Sequence, residues 1–116
     1  MKVLLMTPLS VFLVLPPSIP DLGLGYLATA LRKNGFDVLV RDWSPRLMPD
    51  ELVSLLKTHR PDVVGIKVFT KDASGARKTI AIIREILPEA AVVIGGPHPS
   101  ACEPVSLMTD FDQADF

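Results

Sequence analysis

Residues 61–96 read PDVVGIKVFTKDASGARKTIAIIREILPEAAVVIGG, and this stretch decides the fold. Val63 to Val68 is a short apolar run rich in β-branched residues, the pattern of a strand buried within a sheet. A loop over 69–72 follows. From 73 to 87 the pattern changes: Ile80, Ile83 and Leu87 recur at three- and four-residue spacing, which is one face of a helix. Pro88 ends that helix. Ala91 to Ile94 is a second apolar run, closed by Gly95-Gly96. Strand, helix and strand in this succession form a crossover unit joining two parallel strands.

The same alternation continues toward the N-terminus. Lys2 to Met6 (KVLLM) is a first buried strand, stopped by Thr7-Pro8. Residues 7–20 form a loop in which prolines 8, 16, 17 and 20 exclude a helix or central strand. Its apolar middle, Val11 to Leu15, is expected to cover a ligand or a neighbouring domain. Asp21 is placed to cap a helix running to Asn34, with Leu24, Leu27, Ala28 and Leu31 inward. Arg32 and Lys33 suit its last turn, and Asn34-Gly35 closes it. Phe36 to Val40 is a second strand. Pro49 starts a second helix, with Leu52, Leu55 and Leu56 on one face and His59-Arg60 at its end.

Beyond the glycine pair, Pro97-His98-Pro99 reads as a rigid turn, followed by a short helix from about Ala101 to Met108. The whole predicts a flavodoxin-like α/β fold of three layers with parallel strand order 2-1-3-4. A fifth strand of such a fold would begin near Asp115-Phe116. The expectation is therefore one domain over 1–116, truncated at its C-terminus, with strand four left as an edge open to self-pairing.

Composition removes several function classes. With 12 basic and 13 acidic residues the net charge is -1, so no basic excess points to nucleic acid. The single cysteine, Cys102, excludes an internal disulfide and points to a reducing, cytoplasmic setting. No base adjoins it in sequence, so it reads as a small inert side chain. The stretch from Lys2 to Leu15 is broken by Pro8 and has no small-residue cleavage site, so it is neither a signal peptide nor a membrane span. No GxGxxG follows strand one, and there is no P-loop, nucleophile elbow, CxxC or HExxH. One cysteine and two histidines are too few for a protein-only zinc or iron–sulfur site, so no metal ligands are assigned. No catalytic residues are assigned either.

Open α/β sheets bind ligands at the carboxyl ends of their strands. Here those ends are Thr7-Pro8-Leu9-Ser10, Lys67-Val68-Phe69-Thr70 and Gly95-Gly96-Pro97-His98, expected on one edge. Side chains at 95 and 96 would fill the crevice; two glycines let a flat group or a nucleotide tail lie against the backbone, or simply make a tight turn. Ser10 and Thr70 offer hydroxyls to a ligand or to their own turns. Lys67 ends an otherwise apolar strand and is expected to face water or a phosphate. His98, held between prolines, reads first as a hydrogen-bonding loop histidine and second as an axial ligand. His59 reads as solvated, and Trp43 as a packing residue.

These blocks carry a resemblance. KVLLMTPLS, PPSIPDLGLGYLATALRKNGFDV, RPDVVGIKVFTKD and VVIGGPHPSACEP are similar to the N-terminal cobalamin-binding domain of cobalamin-dependent radical-SAM proteins. The resemblance covers essentially the whole chain. It implies a cobalamin-binding module of a methyltransferase or a tetrapyrrole-ring cyclase, inactive alone. It also implies a separate radical-SAM domain that uses S-adenosylmethionine and a 4Fe-4S cluster. The wider fold often carries DxHxxG after strand one. This chain has Thr7-Pro8-Leu9-Ser10 there, so the resemblance implies base-off cobalamin with no protein histidine on cobalt. The tail would pass Thr70, Gly95 and Gly96, and the corrin would sit on loops containing Pro8, Leu9, Phe69 and Pro97. The competing reading is a degenerate scaffold or dimerisation domain without cofactor. A receiver domain is disfavoured because strand one lacks a terminal acidic cluster. A flavin domain is disfavoured because the first loop is apolar and proline-rich.

Overall fold

The computed structural model describes residues 1–9, 22–41, 48–69, 73–101 and 103–116. The elements are β1 (Lys2–Met6), α1 (Leu22–Lys33), β2 (Asp37–Arg41), α2 (Pro49–His59), β3 (Val63–Lys67), α3 (Ala73–Ile86), β4 (Ala91–Gly95), α4 (Pro97–Ala101) and α5 (Pro104–Asp110). The four strands are parallel in the order β2-β1-β3-β4. This is the flavodoxin-like arrangement that the alternating pattern predicts.

Register sorts the side chains into two unequal cores. Leu4, Val64 and Val92 are aligned across β1, β3 and β4, as are Met6, Ile66 and Ile94. All six are buried, and they meet Leu52 and Leu56 of α2 and Ala76, Ile80 and Ile83 of α3. On the opposite face a smaller cluster joins Val3 and Leu5 of β1 and Val38 of β2 to Leu24 and Ala28 of α1. β1 is buried from Val3 to Met6 because helices lie on both its faces. β3 and β4 instead alternate buried and half-buried residues. Their second face is covered only in part, and that asymmetry positions the site.

Helix α1 ends as its sequence predicts, with Gly35 at φ +86°. Leu27, however, is 55% exposed and no part of the small core. The turn after β4 is also shorter than Pro97-His98-Pro99 suggests. Helix α4 already begins at Pro97, because prolines in a first helical turn lack only N–H groups that have no intrahelical partner there.

The outer edge of β4 is taken at two positions by the chain's own last residues. Ile94 N–H donates to Phe116 O (2.9 Å), and Phe116 N–H donates to Val92 O (3.2 Å). The exposed edge expected from sequence is thereby occupied at Val92 and Ile94. Arg84 of α3 fastens this segment. Its Nε donates to Gln113 O (2.8 Å), Nη1 to Ala90 O (2.6 Å) and Nη2 to Asp115 Oδ2 (2.7 Å). The Val92 N–H also donates to Asp115 Oδ2, at 2.8 Å.

The Val92 N–H and then the Arg84 guanidinium hold the Asp115 carboxyl below its ordinary pKa of 3.8. A lowered native pKa contributes stability above the ordinary value, and that contribution is lost as pH falls through the native value. Asp115→Asn is therefore expected to weaken the C-terminal attachment near neutral pH. The difference from the parent chain should vanish in acid below that native value, read as hydrogen-exchange protection of the Ile94 amide. A difference that persists undiminished in acid would show that the carboxylate charge is not the fastening.

Candidate functional site

The half-buried face of β3 and β4 forms one wall of a groove among the described residues, and α1 forms the other. The groove encloses about 470 Å³, within the range of ordinary small-molecule sites. It runs along β3 from Val63 to Lys67, with Val93 and Gly95 of β4 beside it and Leu24, Leu27 and Leu31 of α1 opposite. Leu27 is exposed because it faces this open space. Among the described residues, Lys67 supplies the one charged side chain in the lining, at the carboxyl end of the strands.

The floor is low because Gly65 and Gly95 lack side chains. Gly65, mid-strand, is a residue the sequence reading missed. Its signal was available, since a glycine inside a strand marks close approach of a ligand or backbone. A Cβ at Gly65 would meet Leu5 Cδ2 at 2.9 Å, the far end of a flexible side chain. A Cβ at Gly95 would meet nothing within 4 Å.

The two adjacent glycines do different jobs. Gly96 stands at φ +99°, and a Cβ there would meet Lys67 Cγ at 2.9 Å and Val68 N and O at 3.1 and 3.2 Å. That close approach lets the turn dock on the end of β3: Val68 N–H donates to Gly95 O (2.7 Å) and His98 N–H donates to Val68 O (3.0 Å). Gly96 thus makes the turn, and Gly95 leaves space in the groove.

The other sequence-derived candidates divide. Lys67, Gly95 and Gly96 come together at the carboxyl end of the groove. Thr7, Pro8, Leu9 and Val68 are buried, with Leu9 and Val68 in the larger core, so those two can offer a ligand little beyond backbone. Phe69 is half-buried, with the Lys67 Nζ 5.4 Å from its ring centroid. Pro97 is exposed. The His98 ring lies edge-on to Phe111, 6.0 Å between centroids, which turns it toward the larger core and away from the groove. Ser10 and Thr70 lie outside the described residues, as do Asp21, Trp43, Cys102 and the apolar stretch 11–15.

A second missed residue is Thr79, fully buried on α3. Its Oγ1 donates to Gly75 O (2.7 Å) and accepts from the Leu9 N–H (2.9 Å). It pins the segment after β1 to α3, which lies on the far side of the sheet from the groove. Thr79→Val leaves the buried Leu9 N–H without this partner and is expected to cost about 1–3 kcal/mol in denaturant unfolding. Thr79→Ser should cost clearly less, and equal losses for the two would deny the hydroxyl this role.

Comparison with known proteins fits this geometry. The profile of the B12 binding domain matches residues 9–116. The chain is 32% identical over 126 aligned residues to cytidylyl-2-hydroxyethylphosphonate methyltransferase of Streptomyces wedmorensis, covering 87% of this chain and 24% of that protein. It is 32% identical over 81 residues to anaerobic magnesium-protoporphyrin IX monomethyl ester cyclase of Rubrivivax gelatinosus, covering 68% and 15%. Among solved structures, the radical S-adenosylmethionine methyltransferase TsrM of Kitasatospora setae, with cobalamin and a 4Fe-4S cluster bound, superposes with a TM-score of 0.75 at 28% identity. That match covers 96% of this chain and 22% of the other. A cobalamin-binding protein of Desulfitobacterium hafniense DCB-2 superposes at 0.70 with 20% identity over 98% and 50%, a likeness of fold alone. The chain spans a quarter or less of the length of the curated relatives it matches.

Proposed function

The chain belongs to the B12-binding domain family, and from that premise we propose that it holds cobalamin with the nucleotide tail in the groove between α1 and the β3–β4 face. The corrin then lies over the carboxyl ends of the strands. The observation that carries this reading is the space over Gly95, where a Cβ would touch nothing. A flat apolar base needs a slot with a low floor and aliphatic walls, and Gly65, Gly95 and Leu27 supply them. Phe69, Gly96 and Pro97 form the rim in this reading.

When bound, cobalamin supplies a cobalt centre that carries an alkyl group between donor and acceptor. This chain's residues would hold the tail and exclude water from it, and none of the described groove residues would offer an imidazole to the cobalt. No histidine is found among the described groove residues. His98 stands against Phe111 and His59 at the end of α2. With its base lodged in the groove, the cofactor would be held base-off.

The longer protein is read as a cytoplasmic radical-SAM methyltransferase or ring cyclase, with S-adenosylmethionine and a 4Fe-4S cluster in its other domain. The relatives' names support that class. Among the described residues, no helix is long and apolar enough to cross a membrane.

The test is retention. Folded chain mixed with hydroxocobalamin and then desalted is expected to keep stoichiometric corrinoid with a base-off absorption spectrum. A folded, colourless protein would leave the scaffold reading in its place.

A further inference from the structure

The groove is apolar along its length and charged at one end. Apart from Lys67 its lining side chains are apolar or glycine, Phe36 among them, and Lys67 closes the carboxyl end. Lys67 is the last residue of β3, on the half-buried face that looks into the groove. Its stem passes the Gly96 turn, where a Cβ on Gly96 would come within 2.9 Å of Lys67 Cγ. Its Nζ is 5.4 Å from the centre of the Phe69 ring, which keeps the ammonium near the mouth. The N-terminal turn of α1 presents Gly23 to the groove and carries no acidic side chain. A ligand matched to this surface has a flat apolar body and one anionic group a short way from it, at the mouth.

We propose that Lys67 is the specificity-determining residue for the phosphodiester of the nucleotide tail, so that the groove selects corrinoids by the charge between corrin and base. This rests on the cobalamin reading above and adds a role for one side chain. Cobalamin has the required order of parts: corrin, phosphodiester, ribose, base. With the base on the glycine floor and the corrin over the strand ends, the phosphodiester falls between them, at the height of Lys67. An ammonium on a flexible stem meets a phosphate as a point charge and tolerates some variation in tail position. Only part of the attraction is screened by salt, because the groove walls are apolar.

The test compares two corrinoids in excess cyanide, which makes both base-off: dicyanocobalamin, and dicyanocobinamide, which lacks base, ribose and phosphate. Affinities are read by spectroscopic titration of the full chain, with circular dichroism confirming that each variant is folded. The parent chain is expected to prefer dicyanocobalamin, with an affinity that falls as salt rises. Lys67→Met should weaken dicyanocobalamin about tenfold, flatten its salt dependence and leave dicyanocobinamide unchanged. Lys67→Arg should restore most of the loss. If Lys67→Met weakens both corrinoids equally, or neither, the phosphodiester role is overturned while the cobalamin reading stands. If the parent chain retains neither corrinoid, both are overturned.

Discussion

Gly95→Leu is expected to lose cobalamin about 100-fold or more, with secondary structure and melting temperature close to those of the parent chain. A Cβ at 95 meets nothing within 4 Å, so leucine enters without straining the backbone. It then occupies the slot meant for the base. Apolar contact of that area is worth about 3 kcal/mol, which is about two decades of affinity. Gly96→Leu makes the contrast. It forces a side chain onto a backbone at φ +99° and against Val68, so it should damage folding along with binding. Equal cobalamin retention by Gly95→Leu and the parent would mean that no part of the ligand lies over this strand end.

The second large effect is on stability and lies on the opposite face. Phe111→Ala is expected to cost about 3–5 kcal/mol and to lower the melting temperature by about 10–20 °C. Phe111 is 2% exposed and belongs to the larger core. The His98 ring packs edge-on to it, and the Arg77 guanidinium lies 5.7 Å from its centre. Removing it opens a cavity beneath α4 and loosens the segment that runs on to the β4 edge. A loss under about 1 kcal/mol would show that this ring is not a core residue. At temperatures where the variant is still folded, its cobalamin affinity should match the parent's, because the groove is on the other side of the sheet.

Much of this arrangement is legible in the chain because apolar periodicity reports burial directly. β1 reads as a continuous apolar run because both its faces are covered. The stripe Ile80, Ile83 and Leu87 sits where its spacing puts it. The glycine pair marks the turn after β4. Other features are hidden for identifiable reasons. Leu27 fits the same helical stripe as Leu24 and Ala28, and only the position of α1 across the sheet shows that it borders open space. Phe111 follows a helix and has no partner in periodicity. Thr79 looks like any helix-interior threonine until the segment after β1 folds back to it. Arg84 acts on Gln113 and Asp115, far away in sequence. Periodicity sees a residue's own element, and these four depend on which element lies opposite.

The division of Gly95 and Gly96 shows the same limit. In sequence the pair is one motif. In the fold, a positive φ and the nearby Val68 backbone reserve position 96 for glycine, while position 95 is constrained only by what enters the groove.

The measurement that bears most directly on the account is a map of backbone amide shifts on adding hydroxocobalamin to the folded, isotope-labelled chain. Perturbations are expected at Gly65, Val93, Gly95 and Leu27, with the α2 and α3 residues Leu56 and Ile83 unmoved. Shifts centred on α2 and α3, or none at the two floor glycines, would contradict it.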